Sequence, residues 1–439
     1  MIRHLQNPNF LLICVIFSSF VAMPLRAKHL KCDVPAPMAI LLDADTGTIL
    51  YEKNARTPTS PASTTKVATA LYALHKIDDA AHDEHIKASH EAVSAVTPVV
   101  RRESGKHPSH RLEFGGTHMG LKLGEVMTFR SLMYGLMLVS ANDAANAIAE
   151  YISGDIPTFV DEMNNYLQEI GCVNTHFTNP HGLTDARHLT SAHDLALMTY
   201  HAMKYPLFRE VVKTVRYTRP KTNKQEESYL LQFNKLLRPG KYFYPHAIGV
   251  KTGYTDFAGR PLVAAAEKDG RRVIAVVLNC ADMDQRYRSC INLFEAAFNE
   301  IKVERKLFSQ QHDVFSVSLK GAEAPLEAIL DKDVSVEYYP SEESKLHAKV
   351  RWGRVTLPIA QGAIVGEIQV LNEKGSIILS EPLFAKKEVA ATTSHKVSQG
   401  MSFAANVIRN QKHWIGLSIG LTFVFLAYAL KPKKKKLVN

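Results

Sequence analysis

The sequence predicts a mixed α/β (α+β) body, in which helices pack on an antiparallel sheet and form a helical subdomain, followed by a small all-β domain. Three observations support this prediction. Apolar helical patterns alternate with short strand patterns before about residue 300, and short strands dominate residues 314–384. The chain has 439 residues, and its content of 46% hydrophobic and 22% charged residues is ordinary for a globular protein with a buried core.

The body is predicted to begin with a β-hairpin and a helix. Apolar runs at residues 39–43 and 48–52 flank the turn residues Asp45-Thr46-Gly47, as is typical of a hairpin. Ser63-Thr64-Thr65-Lys66 then precedes a mostly apolar helical run that continues to Leu74. A serine before such a run is favoured at the N-cap position, so we predict that Ser63 caps this helix.

Helical periodicity returns after residue 128 and gives way to strands after Tyr244. The first of these helices is predicted to be interrupted near Ser140-Ala141-Asn142, where two polar residues break the apolar pattern. The predicted helices cover residues 128–152, 156–170, 191–203 and 286–298, and the predicted strands cover residues 247–251, 262–266 and 273–278.

The first residues have the pattern of an export signal. Arg3 precedes an apolar run over residues 10–23, and small residues follow at Ala22 and Ala27. This pattern is typical of a secretory signal peptide over residues 1–27, and an uncleaved membrane anchor is the alternative.

The other end of the chain has the pattern of a membrane anchor. Residues 414–430 carry no charge, and a block of lysines at 433–436 follows them. At about 1.5 Å per residue they reach roughly 26 Å, which is near the lower limit for a membrane span. We predict a transmembrane helix over 414–430 with a basic cytoplasmic tail over 431–439, and a buried or interfacial helix is the alternative.

The net charge of +10 has its origin in these two ends. Seven of the 53 Lys and Arg residues lie in residues 1–27 and 431–439, which contain no acidic residue, so the body is nearly neutral. The basic excess therefore reflects export and membrane orientation, and we expect no nucleic-acid partner.

These patterns divide the chain into six predicted segments. The segments are a signal peptide over 1–27, the body over 28–305, a β-rich domain over 306–388, a polar stalk over 389–413, the span over 414–430 and the tail over 431–439.

Beyond the predicted signal peptide, the sequence contains four cysteines. Cys280 and Cys290 are a possible disulfide pair, but four free thiols are at least as compatible with the sequence.

Three short motifs carry candidate catalytic chemistry. Ser63 and Lys66 share one face of a predicted helix, and a lysine can activate a serine only where burial or a nearby cation lowers its pKa. Ser140-Ala141-Asn142 presents two polar side chains at a helix interruption. Lys251-Thr252-Gly253 ends a strand with a cation, a hydroxyl and a glycine that lets a ligand backbone approach. Each motif alone is equally compatible with a helix cap or a strand exit.

Together and in this order, the motifs resemble those of the serine D-alanyl-D-alanine carboxypeptidases, which are low-molecular-mass penicillin-binding proteins. The resemblance covers residues 38–384 and implies a β-lactamase/transpeptidase-like body followed by a small β domain. The chain departs from the family pattern at Ala141, where relatives often have glycine, and in an insertion over residues 94–112. Wider matches occur at Pro61-Ala62, Asp143-Ala144, His181-Gly182-Leu183, residues 190–196, Tyr254-Thr255 and Ala258-Gly259.

The resemblance implies an acyl-enzyme mechanism on peptidoglycan stem peptides that end in D-Ala-D-Ala. Ser63 attacks the carbonyl of the penultimate D-alanine, Lys66 takes its proton, and Ser140 passes a proton to the leaving D-alanine. The backbone N–H groups of Ser63 and Tyr254 hold the oxyanion. The resemblance also implies that β-lactam antibiotics inhibit the enzyme, and that it uses no metal and no cofactor.

The substrate-binding residues implied by the resemblance are Asn142, Lys251, Thr252, Gly253 and Tyr254. Asn142 positions the peptide and hydrogen-bonds the catalytic lysine, and Lys251 lowers the pKa of that lysine through its charge. Thr252 binds the terminal carboxylate. His181 is expected to be structural and to shape the cleft wall.

Other activities are compatible with the same motifs. A DD-endopeptidase or a transpeptidase would use the same site, whereas a β-lactamase would need a further deacylating carboxylate that we cannot place. A non-catalytic peptidoglycan-binding scaffold is the alternative from another class, and the intact motif residues argue against it. We expect the catalytic body on the periplasmic or external side of the cytoplasmic membrane, in cell-wall synthesis and the control of cell shape.

Overall fold

The computed structural model describes residues 29–103, 106–343, 345–399 and 401. These residues form two compact units, which are described separately here. The α/β unit contains residues up to 302 together with Tyr339–Glu343, and the β unit contains Val303–Tyr338 and the residues from 345 onward.

An antiparallel five-stranded sheet forms the centre of the α/β unit, in the order β2-β1-β11-β10-β9. The predicted hairpin and the three predicted strands are all present in it. The strands of this unit are β1 (Met38–Asp43), β2 (Ile49–Lys53), β3 (His85–Lys87), β4 (Ala95–Val96), β5 (Leu112–Glu113), β6 (Val126–Thr128), β7 (Arg216–Arg219), β8 (Ser228–Leu231), β9 (Ala247–Thr252), β10 (Leu262–Lys268) and β11 (Arg271–Leu278).

Both faces of the central sheet are buried, because apolar residues occupy both sides of its strands. In β11, Ile274 and Val276 belong to one apolar cluster, whereas Val273 and Val277 belong to another. The helices of this unit are α1 (Lys66–Lys76), α2 (His90–Val93), α3 (Pro98–Arg102), α4 (Phe129–Leu138), α5 (Asn142–Ser153), α6 (Ile156–Glu169), α7 (Ala192–Ala202), α8 (Pro206–Lys213) and α9 (Met283–Phe298). Helix α9 packs in the second cluster, and α1 and α4 to α8 pack in the first, so helices cover the sheet on both sides.

Side-chain caps fix where several of these helices begin. The side chains of Thr128, Ser191 and Asp282 each accept a hydrogen bond from the backbone N–H three residues later, at the starts of α4, α7 and α9. Such a cap satisfies one N–H group that has no partner inside the helix. The predicted helices 156–170, 191–203 and 286–298 are thus present, and the last begins three residues earlier than expected.

The predicted N-cap role of Ser63 is wrong. Residues Ala62–Thr65 form a 3-10 turn that leads into α1, and the residue before this turn is Pro61. Thr65 stands at the N-cap of α1 and makes no side-chain cap hydrogen bond. The Ser63 hydroxyl is therefore not engaged in capping, because the chain tightens into a 3-10 turn where an α-helical start was expected.

The predicted helix interruption lies between α4 and α5. Ser140 has a left-handed backbone with φ of 62°, which ends one helix and redirects the chain into the next. The backbone N–H of Asn142 donates to Thr117 O over 2.9 Å, and the Thr117 hydroxyl donates to Ser140 O over 2.8 Å. The loop that contains Thr117 therefore holds both polar residues of the interruption in place.

The β unit contains two small antiparallel sheets, as the strand patterns predict. One has the order β13-β14-β18-β17-β16, and the other pairs β12 with β15. Its strands are β12 (Val303–Phe308), β13 (Phe315–Val317), β14 (Leu326–Ile329), β15 (Val334–Tyr338), β16 (His347–Trp352), β17 (Ile364–Leu371) and β18 (Ile377–Ala385). Leu326, Ile368 and Leu383 are among the buried residues of its core.

The four described cysteines are free thiols, so the possible disulfide between Cys280 and Cys290 does not form in this structure. Burial raises the pKa of the Cys172 and Cys290 thiols.

None of the helices in the described residues is long and apolar enough to span a membrane. The predicted signal peptide over 1–27 and the predicted span over 414–430 lie outside the described residues.

Candidate active site

Lys66 lies at the centre of the site, where α1 begins, and its side chain is fully buried. The Lys66 amine donates to Asn142 Oδ1 and to His181 O, each over 2.6 Å. Its Nζ lies 3.2 Å from Ser63 Oγ. The hydrogen bond between Asn142 and Lys66 that the resemblance implies is thus present, and a backbone carbonyl supplies a second acceptor.

The surroundings of the two motif lysines favour their neutral forms. Burial lowers the pKa of Lys66 well below its ordinary value, the charge of Lys251 lowers it further, and Asp143 opposes both effects. Burial also lowers the pKa of Lys251 to about 7, with a further contribution from Arg286. A buried ammonium loses the hydration that stabilises its charge, so both amines release protons more readily than a lysine in water.

Lys251 and Arg286 are anchored at the end of β9. The Lys251 amine donates to Thr252 O over 2.8 Å, and the Arg286 guanidinium donates to Gly253 O over 3.2 Å. Arg286 lies in α9 and is almost fully buried. Two of the three carbonyls of the Lys-Thr-Gly motif, those of Thr252 and Gly253, thus each accept from a basic side chain, which fixes this strand end.

Close backbone contacts hold the Ser63 turn between two other segments. A Cβ atom on Gly182 would lie 1.9 Å from Ala62 O, and one on Gly253 would lie 3.3 Å from Ala62 Cβ. Ala62 itself has a left-handed backbone with φ of 47°. The loop at Gly182 and the end of β9 therefore meet the residue that precedes the serine, and only glycine fits at Gly182.

Ser140 and Asn142 lie where the chain enters α5, and Asn142 contacts Lys66. Ser140 is buried, and within the described part of the chain its hydroxyl has no hydrogen-bond partner. Asp143 accepts hydrogen bonds from the backbone N–H groups of Met119, Gly120 and Leu121 over 2.9 to 3.0 Å. These bonds attach the adjoining loop to the residue that follows Asn142, so the second motif and the loop form one structure.

The backbone N–H groups of Ser63 and Tyr254 are free of protein acceptors within the described residues. Tyr254 follows Gly253, which meets the Ser63 turn, so the two amides lie on neighbouring segments. Most amide groups in a folded chain have an acceptor, and a pair without one beside a serine is typical of an oxyanion-binding site.

The His181 ring is buried and supports the cleft wall, as the sequence predicts. Its Nδ1 accepts from the Leu183 N–H over 3.2 Å, so its Nε2 carries the hydrogen and donates to His110 O over 3.1 Å. Burial and the nearby Lys66 lower the pKa of His181 well below its ordinary value. Arg101 donates to Thr184 O over 3.0 Å, so the insertion over residues 94–112 lies against this same wall.

The structure brings together the catalytic and substrate-binding residues that the three motifs predict. Four contributors make contacts that the sequence does not predict: the carbonyl of His181, the carboxylate of Asp143, the guanidinium of Arg286 and the small size of Gly182. His181 and Gly182 lie in a stretch that the resemblance marks, although their contacts with Lys66 and Ala62 do not follow from the motif. Arg286 lies on a predicted helix with no motif residue near it.

A buried amine beside a serine, with two free amides next to it, defines an enzyme that forms an acyl-enzyme on serine. Residues 25–282 match the D-alanyl-D-alanine carboxypeptidase family, and residues 304–391 match the C-terminal domain of penicillin-binding protein 5. The chain therefore belongs to the D-alanyl-D-alanine carboxypeptidase family, and the serine carboxypeptidase activity predicted from the motifs is confirmed.

Individual relatives agree with this assignment. The D-alanyl-D-alanine carboxypeptidase DacF of Bacillus subtilis is 32% identical over 359 residues, which are 81% of this chain and 86% of the relative. The crystal structure of penicillin binding protein 5 from Haemophilus influenzae has a TM-score of 0.54 at 25% identity and covers 83% of this chain and all of that one. The structure of a mutant of the Streptomyces K15 DD-transpeptidase has a TM-score of 0.53 at 29% identity. The match covers 61% of this chain and 99% of the transpeptidase chain.

Replacing Gly182 with alanine is expected to slow acylation by penicillin about 10²-fold, because the added Cβ would collide with Ala62 O and displace Ser63. The measurement is the second-order rate of labelled penicillin attachment to the purified protein. Gly171→Ala is the matched control, because Gly171 also has a positive φ but its Cβ would make only an ordinary contact of 3.6 Å with Leu197. Equal acylation rates in the two variants would contradict the proposed collision between a side chain at position 182 and Ala62 O.

Proposed function

We propose that the enzyme removes the terminal D-alanine from peptidoglycan stem pentapeptides through an acyl-enzyme on Ser63. The observation that carries this proposal is the buried Lys66 amine, which contacts Ser63 Oγ and two further acceptors. In the first step the Ser63 oxygen bonds to the carbonyl carbon of the penultimate D-alanine, and the peptide bond to the last D-alanine breaks. Water then attacks the ester and releases the shortened peptide and Ser63.

Lys66 is suited to act as the base for this reaction. A neutral amine has two hydrogens to donate and one lone pair, whereas an ammonium has three donors and no acceptor. The acceptors Asn142 Oδ1 and His181 O engage two hydrogens, which leaves the lone pair of the neutral amine for the Ser63 hydroxyl. Burial and the charge of Lys251 lower the pKa of Lys66 and so favour this neutral form more than in a lysine exposed to water.

The remaining residues are assigned to the substrate and the leaving group. The N–H groups of Ser63 and Tyr254 would stabilise the oxyanion, and the free hydroxyl of Ser140 would relay a proton from Lys66 to the departing amine. Thr252 would bind the terminal carboxylate with Lys251 supplying positive charge, while Asn142 and Gly253 border the bound peptide. Penicillins would acylate Ser63 by the same attack.

A DD-transpeptidase is the second candidate, because a structural neighbour bears that description. Both activities share the acyl-enzyme and differ only in whether water or an amine attacks it. The curated relatives and the family match favour the carboxypeptidase. Release of D-alanine without formation of a crosslinked product separates the two.

The purified protein should release D-alanine from a stem pentapeptide and form a stable adduct with labelled penicillin, and Ser63→Ala should abolish both. Loss of the nucleophile removes the acyl-enzyme, whereas Ser60→Ala removes the hydroxyl of a buried neighbouring serine that has no assigned role. D-alanine release is measured by an enzyme-coupled assay, and the adduct by intact-protein mass. Full activity of Ser63→Ala would refute the serine mechanism, and rapid turnover of penicillin would instead indicate a β-lactamase.

The charge of Lys251 should set the alkaline limb of kcat/KM for a substrate with a free carboxylate. A lysine is charged below its pKa, so a pKa of about 7 means that the attraction for carboxylate is lost as the pH rises through 7. The profile is measured for acetyl-Lys-D-Ala-D-Ala and for the same peptide with a C-terminal carboxamide. The carboxamide should lack this limb, and an identical limb in both substrates would contradict the role of Lys251.

We propose that the enzyme is exported and anchored to the cytoplasmic membrane with its body on the outer side. The signal pattern over 1–27, the uncharged run 414–430 and the lysines at 433–436 support this arrangement. The sequence places the serine peptidase domain over 28–305, the β-rich domain over 306–388, the stalk over 389–413 and the tail over 431–439. Val389 and Ala391 are buried and pair with Ile359 and Ala322, so the β-rich domain extends to Ala391 and the proposed stalk begins after it. This location gives access to the cell wall.

A chain that ends at residue 413 is expected in the soluble external fraction, whereas the full chain should sediment with membranes and resist alkaline washing. The truncation removes the apolar run and leaves the described residues intact. Labelled penicillin detects both forms after fractionation. Membrane retention of the truncated chain would contradict anchoring by residues 414–430.

A further inference from the structure

Arg101 is a buried cation that binds three main-chain carbonyls behind the wall of the candidate active site. It lies in α3, and its side chain is 5% exposed. Its Nε donates to Arg111 O over 2.9 Å, its Nη2 to Ser109 O over 2.7 Å and its Nη1 to Thr184 O over 3.0 Å. Glu113 lies 3.4 Å from the same Nη1 and supplies the opposite charge. A guanidinium has donors in fixed directions, so this one side chain joins α3 to both segments that supply the carbonyls.

The segment over residues 109–111 supports the ring of His181. His110 O accepts from His181 Nε2 over 3.1 Å and from Asn146 Nδ2 over 3.0 Å. The carbonyls immediately before and after His110 O are the two that Arg101 binds in this segment. Arg101 therefore fixes the short stretch of backbone on which the His181 ring rests.

Asn179 connects the same segment to the backbone of the loop that contains His181. The Asn179 side chain is fully buried, and its Nδ2 donates to Ser109 Oγ over 3.2 Å and to Leu183 O over 2.9 Å. Its Oδ1 accepts from the backbone N–H of Gly182 over 2.7 Å. The ring of His181 and the backbone that follows it are thus held against residues of the same segment.

These contacts converge on the Lys66 amine, which donates to His181 O over 2.6 Å. The path from Arg101 to this amine has three steps. Arg101 holds the segment, His110 O holds the His181 ring, and His181 O binds the amine. In a reaction centre, a misplacement of about 1 Å typically costs about 10²-fold in rate, so the position of one carbonyl matters.

We propose that Arg101 is a positioning residue for the catalytic base, and that it acts through residues 109–111 and His181 to hold the Lys66 amine buried in one geometry. This inference rests on the proposed role of Lys66 as the base that activates Ser63. Arg101 and residues 109–111 lie in the stretch where the chain departs from the family pattern, so the support belongs to this chain and does not follow from the three motifs.

Loss of the guanidinium should change the titration of the base. The charged and titratable side chains that act on the Lys66 amine are Lys251 on β9, Asp143 on α5, and His181 and His188 on the chain before α7. An Arg101 variant leaves all of them in place. Without the three hydrogen bonds the wall loosens, water reaches the amine, and hydration of the ammonium raises the pKa of Lys66 from its lowered position.

The pH dependence of penicillin acylation tests the proposal in the full-length protein. Lys66 accepts a proton only when it is neutral, so the second-order rate of acylation rises as the pH passes through its pKa and forms an acid limb. Arg101→Gln should move this acid limb to higher pH and lower the rate on the acid side about tenfold. The rate is measured by intact-protein mass with labelled penicillin.

Two further variants separate geometry from charge. Arg101→Lys keeps the positive charge but gathers its donors on one nitrogen, which cannot reproduce the fork that binds three carbonyls, so it should also move the acid limb to higher pH. Arg187→Gln is the matched control for loss of an arginine near the same wall. Arg187 is 75% exposed and its Nε lies 3.6 Å from Asp185, so this variant should keep the native acid limb.

An unshifted acid limb in Arg101→Gln would overturn the proposal even if the rate falls. A general folding defect reduces the fraction of reactive protein, which is counted from the adduct at saturation, but it does not move the limb. A native acid limb in Arg101→Lys would also overturn the proposal, because the charge alone would then be sufficient.

A milder variant keeps the test decisive if Arg101→Gln does not fold. Ser109→Ala removes only the hydroxyl that Asn179 and Thr178 contact, and it should move the acid limb in the same direction by a smaller amount. An unchanged limb in both Ser109→Ala and Arg101→Lys would refute the positioning role. Failure of the serine mechanism has a different signature, since the penicillin adduct would then form on Ser63→Ala.

Discussion

A primary amine buried between a side-chain amide and a main-chain carbonyl gives up its charge more easily than a lysine in water. Lys66 is such an amine, and its three neighbours come from separate parts of the chain: Ser63 from the preceding turn, Asn142 from α5 and His181 from a loop. The amine is correctly placed only when all three segments have folded against one another. These segments also remove water from the Lys66 amine and so lower its pKa. The contacts that complete the fold around Lys66 therefore also make it a stronger candidate for the catalytic base.

The start of α5 links this amine to the wall of the cleft. Asn142 accepts from Lys66, and the next residue, Asp143, accepts from three successive amides of the loop at 119–121. Ser140, two residues before Asn142, has a left-handed backbone that Thr117 holds by a hydrogen bond. Local strain at Ser140 is thus balanced by contacts from the loop, as is common for residues that face a reaction centre.

The sequence predicted the parts of this structure that depend on local pattern or on motif order. The alternating and continuous apolar runs predicted β1, β2, β9, β10 and β11, and the polar break at Ser140 predicted the division between α4 and α5. The 3-10 turn at Ser63 was missed, because its geometry depends on contacts with Gly182 and Gly253 that lie far away in the chain. The carbonyl of His181 was also missed, since any residue has a carbonyl and its position follows only from tertiary packing.

Three thiols lie buried in the α/β unit, and their burial governs their reactivity. Cys172, Cys280 and Cys290 are buried and have raised pKa values, so they are not thiolates at neutral pH and react slowly with oxidants. The α/β unit holds its shape without a covalent crosslink between these residues. The buried thiols therefore pack in the core as small apolar side chains that are shielded from reagents in the solvent.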